Sequence, residues 1–138
     1  MLAAGLAAVI RAFSGSRSER PWDSTDSRAG LWFIIALDLQ LLLGLLLYAR
    51  LSPITQIAFL DFAGAMRNST LRFWAVEHGL GMIVAVVLAH VGRVRVRRAA
   101  NDAQRHSYAL LFFAIALLAI VASIPWPGLP YARPLFRW

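Results

Sequence analysis

Three apolar runs, each close to twenty residues, constrain this chain more than any other feature. They are AGLWFIIALDLQLLLGLLLYA at 29–49, the stretch from Leu71 to Gly92, and YALLFFAIALLAIVASIPW at 108–126. A helix rises ~1.5 Å per residue, so about twenty apolar residues cross the ~30 Å hydrocarbon core of a bilayer. A soluble domain of 138 residues cannot hide three such helices. It buries only about two-thirds of its chain surface and must clothe the rest in polar side chains. Here 59% of the residues are hydrophobic and 15% charged, so lipid has to cover much of the exterior. The expected fold is all-α, an integral membrane bundle of three full transmembrane helices plus a short N-terminal helix, in one domain over residues 1–138.

The N-terminal run MLAAGLAAVI is ten residues long before Arg11, too short to span. It lacks the positive start of a signal peptide and reads as a short or truncated first transmembrane helix. Helices are expected at about 1–13, 29–49, 71–92 and 108–124, with polar links at 14–28 and 93–106. Between the second and third spans, Ile54, Ile57, Ala58, Phe62 and Met66 approach helical spacing, which predicts an interfacial helix within the outer loop 50–70. Ser69 or Thr70 can cap the third span and Ser107 the fourth. Four prolines fall in the last 15 residues, so the tail 125–138 is expected to leave the helix and run as an extended strap across the membrane surface.

Charge sets the expected orientation. All 14 basic residues are arginine, against seven acids. Nine arginines fall in 11–28 and 93–106, on one side of the membrane; Arg50, Arg67, Arg72, Arg133 and Arg137 fall on the other. The positive-inside rule puts the nine-arginine side in the cytoplasm and both termini, the C-terminus included, outside. Arginines crowded beside apolar spans suit lipid headgroups better than nucleic acid, so the bilayer is the expected partner and no nucleic acid is. Trp32, Trp74, Tyr108 and Trp126 sit near segment ends, where amphipathic rings prefer the interface. Cysteine is absent, which excludes disulfides and thiolate metal sites.

Polar residues inside the spans are the candidates for chemistry. His78 and His90 are twelve residues apart, about 18 Å along the helix and about 120° around it, so they cannot share one haem. Each could ligate a separate haem or chlorin. His106 lies at a depth close to that of His90, and Met66 is a further partner for His78. The alternative is that His78 and His90 hydrogen-bond between helices. Glu77 shares an i, i+4 row with Gly81, Ala85 and Ala89, a small-residue seam for a neighbouring helix, with Arg72 or Arg50 to neutralise the acid. Asp38 and Gln40 lie inside the second span, where a polar group is a functional candidate by default, and Gly44 is a further packing position there. No phosphate loop, nucleophile elbow or His-x-x-x-His pair occurs, so an enzyme is not expected.

The stretches RAFSG, RPWDSTD, LDLQLLLGLLLY, LRFWAVEHG, VLAHVGR and SIPWP together resemble a family of small four-helix bacterial inner-membrane proteins often labelled "cytochrome b-like". The resemblance covers nearly the whole chain, with RFWAVEH followed by AHVGR as its most specific part. It implies a four-helix membrane protein in the bacterial cytoplasmic membrane, and haem b as a cofactor. Family members carry a histidine on a longer first helix, and many have one where this chain has Asp38, so the usual axial partners are missing here. Two functions follow as expectations. The first is a cofactor-free, non-catalytic accessory subunit packed against other subunits of a larger respiratory or photosynthetic complex, with Trp126, Tyr131, Phe136 and Trp138 of the tail as anchors. The second is a small b-type cytochrome carrying electrons across the membrane.

Overall fold

The computed structural model describes residues 1–132, and over these it consists of helices joined by short turns. Helix α1 spans Leu2–Ser18 and α2 spans Ser24–Leu46, continued by a π-helical turn over Leu47–Leu51. Two short helices, α3 (Pro53–Leu60) and α4 (Phe62–Arg67), follow between this span and the next. The turn α5 (Ser69–Arg72) then runs through a second π-helical turn, Phe73–Glu77, into α6 (His78–Arg98), and α7 spans Asp102–Ala122. Three helical segments are long and apolar enough to cross a membrane: Ser24–Leu51, Ser69–Arg98 and Asp102–Ala122.

Small residues close the bundle. α1 buries Gly5, Ala8, Ala12 and Gly15, and α6 buries Met82, Ala85, Ala89, Gly92 and Val96. α6 packs along α7, α1 packs against α7 and α2, and α2 packs against α6, so the four long helices close a ring in the order α1, α2, α6, α7. The larger side chains fill its centre, with Phe33 edge-on to Phe113 at 5.7 Å between ring centroids. At Gly92 a Cβ would overlap Phe112, and at Gly81 it would overlap Ser123 Oγ. Close approach of α6 and α7 therefore requires glycine at both places.

Several boundaries differ from the sequence expectation, and the reason is capping. The links 14–28 and 93–106 shrink to 19–23 and 99–101, because α1 continues to Ser18, α2 starts at Ser24, α6 continues to Arg98 and α7 starts at Asp102. Asp23 caps α2 by accepting from the backbone N–H groups of Thr25 and Asp26, while the Asp26 side chain accepts from the Asp23 N–H. Asn68 and Asn101, rather than Ser69, Thr70 or Ser107, cap the last two spans. The outer loop holds two short helices in place of one, each with its own cap, Ser52 ahead of Pro53 and Asp61. The described part of the tail turns back on the bundle instead of extending: Gly128 adopts φ 95°, and Tyr131 stacks on Phe73 at 3.8 Å.

Helix α1 is shorter than its neighbour. At ~1.5 Å per residue, the 17 residues of α1 reach about 25 Å and the 28 residues of Ser24–Leu51 about 42 Å. Gly5 lies against Phe33, and the last buried residue of α2 is Leu37. Beyond that point Leu39, Leu42, Leu43, Leu45, Leu46 and Leu47 are all exposed.

Candidate functional site

Polar side chains concentrate in three places, and each is built differently. At the Arg-rich end, the short link folds over the ends of α1 and α2. Glu19 takes φ 50°, the left-handed conformation that stops α1, and turns the chain so that Arg20 points back at α2. Arg20 then grips Asp26 with both arms of its guanidinium, Nη1 to Oδ2 and Nη2 to Oδ1, each at 2.6 Å. From α1, Arg11 donates through Nε to Asp26 Oδ1 at 2.9 Å and through Nη2 to Asp23 Oδ2 at 3.1 Å. The Asp26 carboxylate is almost fully enclosed, at 1% exposure. Two guanidinium groups thus face two carboxylates, and the charge balances inside the knot. The Asp26 fork holds Arg20 above its usual range. The backbone N–H of Asp26 is the main reason that the Asp23 carboxyl lies below its usual range, with Thr25 N–H and Arg11 assisting.

His106 closes the knot from α7. Its Nε2 lies 3.1 Å from the Arg20 carbonyl, so Nε2 carries the proton and donates. Trp22 leans on the ring at 4.9 Å, and Gly15 of α1 sits so close that a Cβ there would overlap it. His106 is buried and its Nδ1 has no hydrogen-bond partner. A metal would be bound through a ring nitrogen, and here Nε2 is engaged while Nδ1 is buried against Gly15.

The second place is midway along α2. His90 Nε2 on α6 meets Asp38 Oδ1 on α2 at 2.9 Å. Their side chains remain 49% and 45% exposed on the flank of the bundle. Asp38 directly follows Leu37, so the pair stands where α2 loses its cover. Gln40 is exposed two residues further on, and around Gly44 a Cβ would meet nothing within 4 Å. Gln40 and Gly44 therefore pack against no other helix among the described residues.

At the end of the bundle opposite the Arg-rich one, Arg72 Nε donates to Glu77 Oε1 at 2.7 Å, both side chains being exposed. Gly81, Ala85 and Ala89 form a seam, but the helix in it is this chain's own α7. His78 Nδ1 lies 2.8 Å from the Ser123 carbonyl at the end of α7, with Phe73 and Trp74 against its ring. The Tyr48 hydroxyl donates to the Ala75 carbonyl at 2.6 Å, joining the two π-helical turns, whose offset leaves carbonyls short of helical partners. Met66 packs in a separate small cluster around Ala58, Ala65 and Ala75. In the tail, Trp126 Nε1 donates to the Val121 carbonyl at 2.9 Å and Tyr131 covers Phe73, so both engage their own chain. Phe136 and Trp138 lie outside the described residues.

The three histidines engage separate partners: His78 the Ser123 carbonyl, His90 Asp38 and His106 the Arg20 carbonyl. Among the described residues, no group of three or more His, Asp or Glu side chains could hold a metal ion. The knot of Arg11, Arg20, Asp23 and Asp26 was missed from sequence. Its signal was present in RPWDSTD, where two aspartates three apart precede an apolar run in the manner of a capping box. No protein family, curated protein or solved structure matches the chain.

Proposed function

We propose that this chain is a non-catalytic accessory subunit of a larger membrane complex, held by the uncovered half of α2. The observation that carries the reading is the Asp38–His90 pair, half exposed on the flank of a membrane span and followed along α2 by a run of exposed leucines. Ionisable groups at mid-bilayer cost roughly 2.5–3.5 kcal/mol each against lipid and normally face protein or water. A partner transmembrane helix laid along Asp38–Leu47 would cover the pair, offer it a hydrogen bond, and bury the leucines beside it. The resemblance to a cytochrome b-like family supports an energy-transducing complex, respiratory or photosynthetic. The arginine count supports a bacterial cytoplasmic membrane with the Arg-rich end inside and the C-terminus outside.

The test is photo-crosslinking in native membranes from a probe at Leu43, with Leu111 on the far side of the bundle as the control. A single integral membrane subunit captured from Leu43 alone supports the reading. Lipid adducts from both positions would overturn it.

A small b-type cytochrome is the second reading, and one contact favours it. A ligating histidine usually directs its other ring nitrogen to a carbonyl or carboxylate, as His78 Nδ1 does to the Ser123 carbonyl. His78 Nε2 would then hold a haem iron, which would supply one-electron transfer, and another chain would have to provide a second ligand. A reduced-minus-oxidised absorption spectrum of the gently extracted protein decides between the readings. An α-band lost in His78→Ala establishes the cytochrome.

A further inference from the structure

A groove of about 380 Å³ opens at the Arg-rich end, between the last turn of α6 and the first turns of α7. Its walls include Val94, Arg95, Arg98, Ala100, Gln104 and Tyr108, and no carboxylate lines it. Of the other arginines at this end, Arg93 donates to the Ser27 carbonyl, Arg105 pairs with Asp102, Arg11 and Arg20 belong to the knot, and Arg97 lines a separate cleft with Trp22 and Ser27. Arg95 and Arg98 have no hydrogen bond or ion pair among the described residues, and at i, i+3 they stand together on one face of α6. Gln104 is already oriented, since its Oε1 accepts from the Ala100 N–H at 3.1 Å and leaves the amide hydrogens as donors. The groove thus offers two unpaired guanidinium groups, and its polar set contains only the Tyr108 hydroxyl besides them and the amide.

What lies along the helices from this groove is apolar and exposed. Arg98 continues a line through Val94, Val91 and Val87 on α6, at spacings of four, seven and eleven residues. Tyr108 begins a line through Leu111, Ile115 and Leu118 on α7. Both lines follow the i, i+3, i+4, i+7 periodicity of one helical face and run toward the membrane interior. An anionic head beside two guanidinium groups, with two hydrocarbon chains along these lines, is the form of an acidic phospholipid. Basic pockets between transmembrane helices suit such headgroups, and an Arg fork matches phosphate oxygens in bidentate fashion.

We propose that the groove between α6 and α7 is a binding site for the phosphate headgroup of an anionic phospholipid, gripped by Arg95 and Arg98, with the acyl chains on the flanking apolar lines. The experiment uses the full chain in mild detergent, titrated with phosphatidylglycerol, phosphatidylcholine or inorganic phosphate and read by native mass spectrometry. Phosphatidylglycerol is expected to bind one to one and phosphatidylcholine weakly. Arg95→Gln with Arg98→Gln should weaken phosphatidylglycerol binding about thirtyfold, at roughly fivefold per surface arginine. The charge-matched control Arg17→Gln with Arg28→Gln, at the same end but outside the groove, should leave binding nearly unchanged. Equal losses in the two double variants would reduce the site to a diffuse field and overturn it. Phosphatidylcholine binding as tightly as phosphatidylglycerol would overturn it too, and so would inorganic phosphate binding as tightly as the lipid, which would make this a free-anion site. Should the glutamine pair fail to fold, Arg95→Lys with Arg98→Lys keeps the charge but loses the fork. Intermediate affinity supports the proposal, and unchanged affinity overturns the bidentate grip.

Discussion

Two carboxylate–base clusters in this molecule use similar side chains to opposite ends. In the knot, Asp26 is held by Arg11 and Arg20, sealed by Trp22 and His106, and removed from solvent. At mid-span, Asp38 and His90 meet at 2.9 Å yet stay half exposed. The chemistry of the pairs differs less than their enclosure does. The knot has α1, α2, α7 and the link around it, whereas the mid-span pair lies between α2 and α6 on the flank of the bundle. An enclosed pair fixes the fold, and an uncovered pair in a membrane span calls for something to cover it.

The contrast can be broken at the knot first. Asp26→Ala leaves two guanidinium groups without their shared anion, and removing one partner of a buried pair costs about 3–5 kcal/mol. With both arginines partly exposed, the lower end is expected, about 3 kcal/mol, measured as loss of helical signal on heating in a fixed detergent. Gly15→Ala forces a methyl group into the His106 ring and is expected to cost about 1–3 kcal/mol by overpacking, on the same measurement. A loss near zero in either variant would mean that the knot does not hold α1 to α2 and α7.

Acid sharpens the comparison next. The Asp23 carboxyl lies below its usual value in the folded chain, so its contribution is fully present above the unfolded value of about 3.9 and is lost as pH falls through the folded one. Thermal stability is therefore expected to hold from pH 7 to about 5 and to decline below about 4. Asp23→Asn keeps a capping side chain but removes this titration, and should make the decline shallower. The smallest effect belongs to the mid-span pair: Asp38→Asn with His90→Gln should change stability by only about 0.6 kcal/mol, the average for hydrogen bonds between membrane helices. The same variant should lose the partner captured through Leu43. A large stability loss with capture unchanged would reverse the roles assigned to the two clusters.

Much of the fold was legible in the amino-acid order, because membrane spans are written in length and hydropathy. The runs at 29–49, 71–92 and 108–126 were long enough to cross a bilayer, and MLAAGLAAVI was not. The spacing of Gly81, Ala85 and Ala89 marked a seam, though not which helix would enter it. Helix ends were less legible. Polar stretches such as STDSR and DAQRH look like loops by composition, yet they carry helix turns once Asp23 and Asn101 supply caps. A cap satisfies backbone groups at a cost that apolar periodicity does not register.

By itself, the sequence determined that this chain is an all-helical membrane protein with three apolar spans, a short first helix and an arginine-rich end. Those properties are sums along the chain: how many apolar residues in a row, how many charges in a loop. The tertiary structure alone decided which polar groups meet. Arg11 reaches Asp26 across 15 residues and His90 reaches Asp38 across 52, while His106 is spent on the Arg20 carbonyl 86 residues away. Such pairings depend on the order of helices around the ring and on the rotation of each helix about its axis. No local pattern encodes either, since both follow from how the small-residue faces let four helices approach.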